Sequence, residues 1–281
     1  MKAIVFTSRN RRAHAVAQHC YQGLAACGET VTVVDESLYA GLPACDYVVW
    51  YGLGGNGMRM LADFQEARLP FAFMDLGYFG RKREHPPHYE YHRIAVNAYQ
   101  PTAYLRRNLP PTRFQIFGKN IMPWRIGGDE ILVIGMSDKA AHVWGLGSGT
   151  AHAQWLVDEV RKHTDRPIAY SPKPSWDGAQ PIEGTRYARG PLPQELSKAH
   201  AVVTWRSNVA IDGLLAGIPC LVLGDNPALL MSHNDLTKIE QPMYPDDRFE
   251  FCSDLAWAQF SLQEISSGRP FIHLKGQGLL P

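Results

Sequence analysis

Much of what would make this 281-residue chain easy to place is absent. Its five cysteines (Cys20, Cys27, Cys45, Cys220 and Cys252) are scattered, odd in number and never spaced C-x-x-C. That argues against a disulfide framework or a cysteine zinc site and fits a reducing, cytoplasmic compartment. No apolar run approaches the roughly 20 residues of a membrane span. The first apolar run turns basic too soon to serve as a signal-peptide core. The formal net charge is +1, so no overall field draws the chain to nucleic acid, although a local basic patch would suffice. There is no Asp-x-Asp pair to hold a divalent cation, no repeat and no low-complexity tract.

What is present is an ordinary globular composition, 45% hydrophobic and 20% charged, in a chain long enough for two domains. Strands alternate with helices. Lys2–Phe6, Val31–Val34, Tyr47–Tyr51 and Phe71–Asp75 read as buried strands, with helices over Ala13–Cys27 and Met58–Arg68. Gly28 stands where a helix stops. Such alternation predicts parallel sheets covered on both faces. Residues 76–128 are irregular, with strands expected at Arg93–Asn97 and Arg113–Phe117, and Trp124–Gly128 reads as a linker. The pattern then restarts. Glu130–Gly135, Pro167–Ser171, His200–Trp205 and Ile218–Gly224 read as strands. Thr150–His163, Leu192–Lys198, Ser207–Ala216 and Ser253–Ser267 read as helices. The expected division is 1–122, 129–252 and a tail, 253–281, that packs back toward the first domain.

One segment, Ala199–Gly224, is the most informative: a buried strand ends at Thr204–Trp205, and Ser207–Asn208 occupy the turn before a helix. Either side chain can cap that helix. Its unpaired N–H groups make a phosphate site beyond the strand end. Asp212 follows within the helix, and Gly217–Ile218–Pro219 turns the chain into the next strand. The run S-N-V-A-I-D-G-L-L-A-G-I-P resembles the nucleotide-binding half of GT-B glycosyltransferases, including capsule-polysaccharide types. It differs from many of them in having Asp212 for Glu and Gly213 for Ala.

The resemblance implies two Rossmann-like doubly wound domains facing a central cleft. It implies transfer of a sugar from a nucleotide sugar, a UDP-sugar first among them, to an acceptor hydroxyl, with no cofactor beyond the donor. By resemblance, Ser207 and Asn208 hold the donor phosphates, Asp212 the ribose, and the loop Ser137–Lys139 faces the diphosphate. Lys173, held between Pro172 and Pro174, is displayed as a point charge for phosphate, and Arg206 is a further cation. No metal is expected, since cations and helix ends can take the leaving group's charge.

The N-terminal half should hold the acceptor and a general base. Asp75, at a strand end, and His14, just past the first strand, are the two candidates. Arg11, Gly54, Gly55, Asn56, Tyr78 and Arg81 are the candidate acceptor contacts. Arg9, Arg11, Arg12, Arg81, Lys82 and Arg83, interleaved with Tyr78, Phe79, Tyr89 and Tyr91, suit sugar stacking or an extruded base. The acceptor is therefore a saccharide or a hydroxymethylated DNA base, the latter as in phage glycosyltransferases of similar size. His85, His88 and His92 have a spacing that raises a metal, without the helical or cysteine partner a site needs. Gly52-x-Gly54-x-x-Gly57 after a strand, with Asp75 ending the next, also satisfies the dinucleotide fingerprint. An NAD(P)-binding oxidoreductase is thus the rival, and a non-catalytic nucleotide- or sugar-binding protein the third reading.

Overall fold

A computed structural model describes residues 1–81 and 90–281. The chain divides into two compact units, 1–118 with 250–281, and 119–249. No helix among the described residues is long and apolar enough to cross a membrane.

The first unit is built on a six-stranded sheet ordered β11-β5-β4-β3-β1-β2. Its strands are β1 (Lys2–Thr7), β2 (Thr30–Asp35), β3 (Tyr47–Tyr51), β4 (Phe71–Leu76), β5 (Tyr91–Val96) and β11 (Gln259–Ser261). The first four run parallel, as the alternating pattern predicts. β5 runs antiparallel to β4, and β11, antiparallel to β5, runs again in the direction of the first four, so the sheet is mixed. The short connection fits this: 14 residues join β4 to β5, and a parallel return needs a crossover of a dozen or more, usually a helix. Helix α1 (Arg11–Ala26) covers one face, burying Val16, Ala17, Cys20 and Leu24, and α2 (Gly57–Ala67) buries Met60, Leu61 and Phe64 against the other.

Two elements depart from the sequence reading. Residues 112–115 form a helix, α3 (Thr112–Gln115), where a strand is expected. Phe114 and Phe117, three apart, are both buried while Ile116 between them is exposed, a helical rather than a strand spacing, and Pro110–Pro111 lead in. The single helix expected over 253–267 is instead α8 (Arg248–Ala256), strand β11, then α9 (Leu262–Ser266) and α10 (Arg269–Gly276). Ser261 and Glu264 form a reciprocal capping box that starts a new helix inside the expected one.

The second unit carries a five-stranded, wholly parallel sheet ordered β10-β9-β6-β7-β8. The strands are β6 (Glu130–Ile134), β7 (Ile168–Ser171), β8 (Arg186–Tyr187), β9 (Ala199–Thr204) and β10 (Cys220–Val222). Helices α4 (Asp138–Val143), α5 (Gly149–Arg161), α6 (Leu192–Leu196) and α7 (Val209–Leu215) connect them. Every residue of β9 is buried, as a central parallel strand requires. The stretch 119–128 has no helix or strand but is fastened: Met122 N–H donates to Leu215 O at 2.8 Å and Arg125 N–H to Gly217 O at 2.8 Å.

Candidate functional site

In the second unit, β6 is central. The chain steps from it to β7 and β8 on one side, then returns to β9 and β10 on the other. The strand order reverses between β6 and β9, where an open α/β sheet leaves a crevice beyond its carboxyl edge. Two loops meet that reversal, Gly135–Ser137 after β6 and Trp205–Asn208 after β9. The fold thereby brings Ser137, Lys139, Arg206, Ser207 and Asn208 to one sheet edge. Lys173 stands at the end of the adjacent β7.

The turn after β9 is fixed by its neighbours. Ser207 N–H donates to the buried Thr204 hydroxyl at 3.2 Å, and Ser207 Oγ accepts from Val209 N–H at 3.2 Å. Ser207 therefore caps α7, while Asn208 makes no capping bond. Asp212 lies one turn after Asn208, on the same helix face. Asn226, buried after β10, donates to the carbonyls of Arg206 and Ser207, both at 3.2 Å, and clamps the turn from behind. The sequence reading passed over Asn226; the Asp-Asn-Pro run at a strand end is the turn signal that marks it.

On the other side, a Cβ at Gly135 would lie 2.5 Å from the Tyr170 hydroxyl, so the glycine makes room for that buried ring. Asp138 Oδ1 accepts from Gly149 N–H at 2.8 Å, tying the start of α4 to α5. The guanidinium of Arg206 lies 3.7 Å over the Trp144 ring. Trp205 packs edge-on to His152 and Trp155, and burial holds His152 below the ordinary imidazole range. Lys139 and Lys173 are exposed.

In the first unit, Asn10 Oδ1 accepts from Arg12 and Ala13 N–H at 3.0 and 3.2 Å and so caps α1. Arg11 is exposed, while Arg12 forms an ion pair with buried Glu90 at 3.0 Å. His14, one turn into α1, contacts the Thr7 hydroxyl through Nδ1 at 3.2 Å and the Gln18 amide through Nε2 at 3.0 Å. It faces a pocket of about 320 Å3 that Gln18 and Tyr21 also line.

Asp75 is placed differently. Its Oδ2 lies 3.4 Å from Arg93 Nη2 and its Oδ1 accepts from Leu76 N–H at 2.8 Å. It is the counter-ion of a buried arginine. Tyr78 is 2% exposed, and its hydroxyl donates to Gln100 at 2.6 Å and accepts from Arg93 at 3.0 Å, so its ring belongs to the interior. Asn56 donates to the Glu36 carbonyl at 2.7 Å. Gly54 is exposed, but a Cβ at Gly55 would lie 2.8 Å from the Glu36 carboxyl carbon. Burial first, and then Asp35, push that carboxyl up. Arg81 ends the described stretch; Lys82, Arg83, His85, His88 and Tyr89 lie outside the described residues. His92 is a fully buried strand residue set edge-on to Tyr51. Burial, then the Arg12 charge, hold its imidazole down at about 3. No group of three metal-ligating side chains occurs among the described residues.

No family model and no curated protein sequence matches the chain. Solved structures do. The KpsC beta Kdo 2,4 transferase of Thermosulfurimonas dismutans superposes with a TM-score of 0.50 at 14% identity, over 91% of this chain and 90% of that one. The KpsC beta Kdo 2,7 transferase of the same organism gives 0.51 at 13% identity, over 97% and 100%. The chain has the GT-B glycosyltransferase fold. Within that fold, the strand-order reversal of the second unit carries the polar and cationic residues described above, and the first unit carries His14 beside a pocket.

Proposed function

We propose that this GT-B chain transfers a sugar from a nucleotide-sugar donor to an acceptor hydroxyl. The observation that carries the reading is the convergence of Ser137, Ser207 and Asn208 at the point where the parallel sheet reverses its strand order, with Lys173 at the next strand end. There, N–H groups at helix starts and a lysine would hold the donor diphosphate and take up its charge as it leaves. Asp212 would reach the ribose. Both α4 and α7 are short, so individual N–H groups contribute more here than any helix dipole.

In the inverting form of the reaction, the acceptor oxygen attacks the anomeric carbon and the bond from that carbon to the phosphate oxygen breaks. The hydroxyl proton goes to a base on the first unit. His14 suits this role better than Asp75, because Asp75 is held by the charged Arg93 whereas His14 lines a pocket and its ring contacts are the neutral Thr7 and Gln18. The same pocket supports the reading of a saccharide acceptor. The stretch that raised a DNA acceptor lies partly outside the described residues, and within them Tyr78 is buried.

The oxidoreductase alternative is weakened by Glu36. Its carboxyl group packs on Gly55, placing an acid where a fingerprint loop must offer N–H groups to pyrophosphate. The deciding experiment is a thermal-shift panel of UDP, GDP, ADP, CMP, UDP-glucose, GDP-mannose, NAD and NADP. A ligand at 100 times its Kd adds about 2.7 kcal/mol. Stabilisation by a nucleotide or its sugar, lost in Ser207→Ala or Lys173→Ala, is expected. Stabilisation by NAD or NADP alone would overturn the reading.

A further inference from the structure

The pocket beside α1 has a composition that selects its occupant. Its helix wall presents His14, Gln18, Tyr21 and Gln22, at spacings of four, seven and eight residues along one face. On a helix packed against a sheet that spacing ordinarily carries apolar residues toward the core. Here the face looks over the rim of the sheet, because β2 is an edge strand and Val33 on it is 46% exposed. Thr7, the last residue of β1, closes one end.

The wall chemistry is narrow. Among the described residues, no carboxylate, lysine or arginine lines the pocket. A phosphate, a uronate or an ammonium group would therefore meet no counter-charge on these walls. Hydroxyl, imidazole and two carboxamides are present, and both carboxamides can donate and accept at once. The Tyr21 ring, 45% exposed, offers an aromatic face at the rim beside Val33. Polar groups that donate and accept, next to one aromatic face, match a ring with hydroxyls at its edge and C–H bonds on its face. The volume of about 320 Å3 sits at the lower limit of small-molecule sites, roughly 300–1,000 Å3, which favours one ring over a chain of them.

We propose that this pocket is a binding subsite for a single neutral pyranose, with Tyr21 stacking on the ring, and Gln18 and Gln22 bonded to its hydroxyls. The inference rests on the glycosyltransferase reading in one respect, that the ring is the acceptor's and presents its hydroxyl to His14. Binding itself is independent of the donor.

The test is titration of the full chain, without nucleotide, with methyl glycosides of glucose, galactose and mannose, and with glucuronate and N-acetylneuraminate, followed by saturation-transfer NMR. The expected result is binding of at least one neutral glycoside, with both acids at least ten-fold weaker. Tyr21→Ala and Gln18→Leu, both at exposed positions, should each raise its Kd ten-fold or more and leave nucleotide stabilisation unchanged. Val33→Asp, which places a carboxylate on the opposite wall, should do the same if either variant folds poorly. Absence of neutral-glycoside binding, tighter binding of the acids, or binding indifferent to these substitutions would overturn the proposal. Glycoside binding in a chain that responds to no nucleotide would keep the subsite and remove the transferase reading.

Discussion

The guanidinium of Arg113 and the carboxylate of Glu264, 151 residues apart, form a two-pronged ion pair with N–O distances of 2.7 and 3.0 Å. Arg113 also donates to the carbonyls of Ala256 and Gln259 and lies 4.4 Å over the Phe260 ring. One buried side chain thus ties the returning segment 250–281 to the body of the first unit. Burial alone would raise Glu264, but the bonds and charge of Arg113 outweigh it and hold the carboxyl below its usual range.

Arg113→Ala leaves that carboxylate buried without its main partner. A loss of about 3–5 kcal/mol is expected. Chemical denaturation followed by circular dichroism measures it. A loss below about 1 kcal/mol would show that the C-terminal segment is held by its apolar contacts alone.

Acid should destabilise the chain earlier than its carboxylates require. His92, His152, His200 and His273 are all held below the ordinary imidazole value of about 6.5, burial being the first cause in each. A depressed pKa means that the unfolded state binds protons first. The stability these groups hold is fully present above about pH 6.5 and is lost as pH falls toward the folded values, about 3 for His92. Urea midpoints should therefore decline between pH 6.5 and pH 4.5. His92→Leu, which removes the most displaced imidazole, should flatten that decline. An unchanged slope in the variant would assign the acid response elsewhere.

The parallel core of the second unit was legible from hydrophobic runs because its strands are buried on both faces. The β9–α7 turn was legible from Ser207, and the α7–β10 turn from Gly217. The first sheet's antiparallel edge was not, since direction depends on the connection and β5 carries no mark of it. The helix at 112–115 was missed because R-F-Q-I-F alternates like a strand, and only the pairing of Phe114 and Phe117 with Phe79 decides it. The surroundings of Asp75 and Tyr78 were not legible for a related reason. A strand-end acid and a loop aromatic look exposed until a buried Arg93, distant from Tyr78 by 15 residues, claims both.

Gly217 should resist replacement. Its φ of 75° lies in the left-handed region, and a Cβ there would collide with the Pro123 carbonyl oxygen. Gly217→Ala combines backbone strain of about 1–3 kcal/mol with overpacking of similar size. A fall in Tm of several degrees is expected, with loss of nucleotide stabilisation as α7, which Ser207 starts and Gly217 follows, shifts. A variant of unchanged Tm would mean that 119–128 can leave α7 without consequence.

His14 and Asp75 can be separated by what each substitution moves. His14 is exposed, and its hydrogen-bond partners among the described residues are the neutral Thr7 and Gln18. His14→Ala should leave folding and donor stabilisation intact and lower kcat by 10²–10⁴, the usual contribution of a general base. Asp75→Asn removes the counter-ion of buried Arg93, so its first effect should be on stability, by about 1–3 kcal/mol for the weakened pair. Its kcat, corrected for the folded fraction, should fall less than ten-fold. The opposite outcome, a catalytically silent His14→Ala and a stable but inactive Asp75→Asn, would transfer the base to the strand end and leave the pocket beside α1 with a binding role only.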